Sequence, residues 1–97
     1  MSLANSLKVN NYGTFLVKTD LSMEFSEFHN HHDLIILAGN LVIKAYGMHE
    51  GRFFCNVTTN TAVLLDGVHV FKIGSRYFGN ALLLYGQATF NGIIGIR

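Results

Sequence analysis

The segment His29-Asn30-His31-His32-Asp33 gathers three of the chain's five histidines beside a carboxylate. It is the stretch whose residue types and spacing suit metal chemistry. On an extended backbone alternate side chains share a face, so His29 and His31 present two imidazoles in one direction, with Asp33 next along it. Two neutral imidazoles and a carboxylate oxygen are ligands for a transition metal. His29, His31 and Asp33 are therefore the candidate metal ligands; His32 points the other way. The competing expectation is a polar loop whose histidines face water, and no other cofactor is expected.

The first two histidines are similar in spacing to the first histidine pair of the cupins, small β-barrel proteins. That likeness implies a small metal-dependent enzyme using His29 and His31. A cupin also carries a glutamate a few positions on, where this chain has Ile35 to Ala38, and a later histidine beside a Pro-Gly turn, which is missing. The same His-x-His pair resembles the motif with which trimeric phage spikes and fibres surround an axial metal. That resemblance implies a trimer.

Other chemistry finds less material. Asp20, Glu24, Glu27, Asp33, Glu50 and Asp66 are scattered, and neither a strained nucleophile turn nor a phosphate-cradling glycine loop is present. Cys55, the single cysteine, lies in an alternating run and reads as a small buried hydrophobe. Asn56-Val57-Thr58 matches the glycosylation sequon, which without a secretory signal reads as idle. His49, Tyr46, Tyr77 and Tyr85 lie near predicted turns and are the candidate binding-loop residues, with the tyrosines suited to a polar rim or a sugar-facing surface.

The elements that must position these residues read as strands. Gly39-Asn40, Asp66-Gly67 and Asn91-Gly92 are each flanked by apolar or β-branched runs, the usual signature of a two-residue hairpin. A hairpin at Gly39-Asn40 pairs Ala38 with Leu41, Leu37 with Val42 and Ile36 with Ile43. Leu21-Ser22-Met23-Glu24-Phe25 alternates as a half-buried strand. Ser26 to Asp33, Gly47 to Gly51 and Thr58 to Thr61 read as loops. The spacing of Gly74, Gly79 and Gly86 is too uneven for a repeat. The expected fold is all-β, a small antiparallel β-sandwich or jelly-roll-like domain of about eight short strands. It forms one domain over residues 1–97, with residues 1–6 as an N-terminal arm.

Composition narrows the role. Hydrophobic residues make up 49% of the chain and charged residues 13%, and only five charged side chains occur from Arg52 to Arg97. A domain this small has too little polar covering for a solitary subunit, so self-association is expected, with Leu34, Ile36, Ile43, Phe71, Ile93 and Ile94 as the interface. A net charge of +1 without a Lys/Arg cluster argues against nucleic acid, and no apolar run is long enough for membrane insertion. No signal peptide is read, which implies synthesis in the cytoplasm. The leading expectation is a non-enzymatic homo-oligomeric structural or attachment protein, a virus or bacteriophage particle component of tail-fibre, baseplate or capsid-decoration type. Its partners would be itself, weakly favouring a trimer, and other particle proteins or a surface receptor. The alternatives are a carbohydrate- or protein-binding β module and the cupin-like enzyme.

Overall fold

The computed structural model describes residues 7–97, and the arm expected over residues 1–6 lies outside them. Ten strands follow one another: β1 (Lys8–Asn11), β2 (Thr14–Val17), β3 (Leu21–Asn30), β4 (Asp33–Ile36), β5 (Asn40–His49), β6 (Arg52–Cys55), β7 (Ala62–Phe71), β8 (Arg76–Gly79), β9 (Ala81–Phe90) and β10 (Ile93–Ile96). Odd-numbered strands form one five-stranded sheet in the order β1-β3-β5-β7-β9. Even-numbered strands form the other in the order β10-β8-β6-β4-β2. Every pairing is parallel. The chain therefore winds as a β-solenoid of stacked coils, each contributing one strand to each sheet.

The all-β expectation stands; the antiparallel sandwich or jelly roll, and with it the barrel that a cupin-like spacing implies, does not. Ile36 does not face Ile43 across a hairpin. Ile36 lies between Val17 and Cys55 in one sheet, while Ile43 lies between Met23 and Leu65 in the other. Ser26 to Asp33 is strand, corner and strand, and Gly47 and His49 belong to β5.

The three glycine-containing pairs that suggested hairpins serve the stack in different ways. Gly39 (φ 89°) turns the chain between sheets, and a side chain there would strike the backbone of Thr19 and Asp20 in the coil beneath. Gly67 (φ 99°) lies inside β7, where an added side chain would strike the Ala45 carbonyl. Gly92 sits in a corner directly over Ser75, with no positive φ.

Alternation then builds the core. Leu21, Leu41, Val63 and Leu82 occupy one inward stack, and Met23, Ile43, Leu65 and Leu84 the next. Across from them run Phe15, Leu34, Phe53, Tyr77 and Ile94. Each fully buried aliphatic or aromatic side chain contributes about 1.5–3 kcal/mol. The corner Asn56 to Thr61 between β6 and β7 is the longest. It is tied by the Thr58 backbone N–H donating to Asn56 Oδ1 (3.1 Å) and by Asn80 Nδ2 donating to the Thr59 carbonyl (2.7 Å).

The corner positions yield a prediction. Gly13, Gly51 and Gly92 hold equivalent places, yet an added side chain at Gly13 meets nothing among the described residues, whereas at Gly92 it meets Ser75. Thermal melts should show Gly13→Ala unchanged within about 0.5 kcal/mol and Gly92→Val destabilised by about 1–3 kcal/mol.

Candidate functional site

The histidine-rich segment spans the corner of the second coil between β3 and β4, with Asn30 buried, His29, His31 and Asp33 half-buried and His32 exposed. It brings His29 and His31 together, with ring centroids 5.8 Å apart. It does not leave them free. His29 Nε2 lies 3.3 Å from Glu27 Oε1. His31 has Glu50 Oε1 at 3.1 Å on Nδ1 and Asn10 Oδ1 at 3.0 Å on Nε2, and its ring stacks on Tyr12 at 4.4 Å.

Asp33 turns to the next coil, where Arg52 Nε and a terminal guanidinium nitrogen donate to its two oxygens at 3.0 Å each. That bidentate pair holds the Asp33 carboxyl below its usual range. Lys8, 3.0 Å away, does the same to Glu27. His32 is exposed, with Nδ1 3.2 Å from the Gly13 carbonyl. Among the described residues, no group of three or more His, Cys, Asp and Glu side chains is arranged to hold a metal ion.

The remaining candidates divide sharply. Leu34, Ile36, Ile43 and Phe71, expected at an oligomer interface, are buried within their own chain, while Ile93 and Ile94 are open to solvent. Tyr77 is buried, with its hydroxyl 3.9 Å from Cys55 Sγ, and burial raises both groups; the Cys55 thiol is pushed up to about 11. Tyr46 and Tyr85 are exposed. Tyr46 borders a shallow groove of about 370 Å³ with Glu24, Phe25, Ser26, Lys44 and Val68.

His49, read as a loop residue, is instead one half of a histidine pair sealed in the core. Its Nε2 lies 3.1 Å from Nδ1 of His69, both residues being fully buried. The protons can be placed. The Asp66 carbonyl, 2.9 Å from His69 Nε2, can only accept, so that nitrogen carries the hydrogen. Neutral His69 then accepts at Nδ1, and His49 donates from Nε2. This leaves His49 Nδ1 buried with no partner.

Gly47 makes the space: a side chain there would run into the His69 ring and approach His49 Nε2. Phe71 stacks on His49 at 4.3 Å, and Phe53 closes the pocket at 5.6 Å. Desolvation pushes His49 down to about 3, with the neighbouring His69 and His29 adding to the effect. Desolvation also lowers His69, partly opposed by the Asp66 carbonyl. The strand face at 69 was legible in the alternation, but His49 was not, because Gly47 to Gly51 read as a loop; their meeting required the parallel register.

The last coil carries a second feature. Leu84, Ile94 and Ile96 occupy core positions yet are 45%, 41% and 51% exposed, because β9 and β10 are the outermost strands of their sheets. Comparison with known proteins returns no matching family model, no matching curated protein and no matching solved structure. The class of the protein, a parallel β-solenoid, therefore rests on the strand pairing alone.

Two measurements test the buried pair. Both histidines are neutral when folded but take protons near pH 6.5 when unfolded, so stability is complete above pH 6.5 and declines as pH falls. Denaturant titrations should show a loss of up to about 1.4 kcal/mol per pH unit for each proton, flattened in the His49→Phe/His69→Leu variant. Gly47→Ala should cost about 1–3 kcal/mol by displacing the His69 ring.

Proposed function

We propose that the chain is a non-enzymatic structural or attachment protein that works as a homo-oligomer, with its last coil as the contact surface. The observation that carries this reading is the exposure of Leu84, Ile94 and Ile96 at positions that every inner coil buries. Uncovered terminal coils and unpaired strand edges are the surfaces that solenoids and open sheets use, or must protect, in association. A non-enzymatic role is supported by the engagement of the titratable groups: the His49–His69 pair is sealed, and Asp33 and Glu27 are held in ion pairs. The narrower form of the proposal, a component of a virus or phage particle, draws on the low charge and the Gly- and Asn-rich corners.

A second reading, a carbohydrate- or protein-binding module, has the groove beside Tyr46 in its favour. Binding to a glycan panel that disappears in Tyr46→Ala would establish it.

For the leading reading, light scattering on the purified chain should give a multiple of the 10.8 kDa subunit mass. Ile96→Lys should lower that mass without altering the circular dichroism spectrum. A single 10.8 kDa species at every concentration would refute self-association.

A further inference from the structure

We propose that two copies join tail to tail about a two-fold axis, with β9 pairing antiparallel to the partner's β9 in a register centred on Gly86. This deepens the homo-oligomer reading above and rests on it.

Three observations point to a second copy of this chain in this orientation. The first is electrostatic. No charged side chain occurs from Ala81 to Ile96, so the two faces meet without repulsion, and the surface offers nothing to steer a charged partner.

The second is self-complementarity. A two-fold contact pairs a strand with its own copy in the antiparallel sense, and opposed residues must share a face. In β9 the inward residues are Leu82, Leu84, Gly86, Ala88 and Phe90, stacked on Val63, Leu65, Gly67, His69 and Phe71. Centring on Gly86 sets Leu82 against the partner's Phe90 and Leu84 against the partner's Ala88, large beside aromatic and large beside small. Gly86, with φ 139° and no side chain, lies on the axis where the two backbones approach.

The third bears on the head-to-tail alternative. The inward stack ending in Phe90 begins, at the opposite end of the solenoid, with Asn11. The Asn11 amide donates to Asn30 Oδ1 (2.9 Å) and to the Asp33 carbonyl (2.8 Å), so a hydrogen-bonded amide stands at that end beside the apolar Val9, Phe15 and Val17. A head-to-tail stack would lay the Phe90 ring on that amide, whereas the two-fold contact sets it against the partner's Leu82, which is apolar. It would also grow without closure, whereas the two-fold contact closes after two chains.

The test uses the full chain. Sedimentation equilibrium across a concentration series should reach twice the 10.8 kDa subunit mass and stop there. A nitroxide on Gln87→Cys, with Cys55 buried and unlabelled, should report an interchain distance below about 20 Å by pulsed dipolar spectroscopy, since residue 87 lies beside the axis. Head-to-tail stacking separates equivalent labels by the five coils of the sheet, about 24 Å or more at ~4.8 Å per coil. Leu84→Lys should return the protein to 10.8 kDa with its strand content intact. A monomer at all concentrations overturns both this proposal and the homo-oligomer reading. A trimer, or a mass that keeps rising with the longer label distance, overturns the tail-to-tail arrangement alone and leaves self-association standing.

Discussion

Parallel stacking in register is the constraint on which the rest of this molecule depends. Because each strand lies beside its counterpart one coil away, a residue takes its neighbours from about 20 residues earlier and later in the chain. The hydrogen-bond ladders and the core are thus one repeated contact. Arg52 reaches Asp33, Asn30 Nδ2 reaches the Arg52 carbonyl at 3.1 Å, and Asn11 reaches Asn30. No inner layer is complete until the next coil has been laid on it. The last layer, holding Leu84, Ile94 and Ile96, has no such cover among the described residues.

The same constraint governs polar groups in the interior. The stack of Asn11, Asn30, His49, Phe71 and Phe90 passes from amide to imidazole to phenyl along the solenoid. Each amide near the corner finds a backbone carbonyl or another amide, as buried polar groups must. His49 is the transition. It gives one hydrogen bond to His69, presents a ring face to Phe71, and retains a single unpaired nitrogen. The glycine at 47 is as necessary to that arrangement as either histidine.

Much of the local structure was legible in the sequence. The alternation placed Leu21 and Met23 on one face and Cys55 inside, as they are, and the absence of helix among the described residues follows from the same pattern. Strand direction was not legible, because alternation is identical in parallel and antiparallel pairs. Glycine beside asparagine or aspartate, favoured in hairpins, is equally suited to a tight corner packed on another corner. The repeat was hidden by the long corners Asn56 to Thr61 and Lys72 to Ser75, and by chemical variety within each stack. His29 and His31 were rightly placed side by side, but the partners that occupy them, Glu27, Asn10 and Glu50, come partly from other coils and carry no short-range signal.

The long corner at Asn56 to Thr61 has a consequence for how such a chain can be altered. It swings out between β6 and β7, and β5 and β7 still pair without interruption from Asn40 beside Ala62 to His49 beside Phe71. Extra length is thus absorbed at the rim without disturbing the winding. Foreign peptide segments inserted there would be displayed on a rigid frame, making this edge the natural port for engineering new recognition into the molecule.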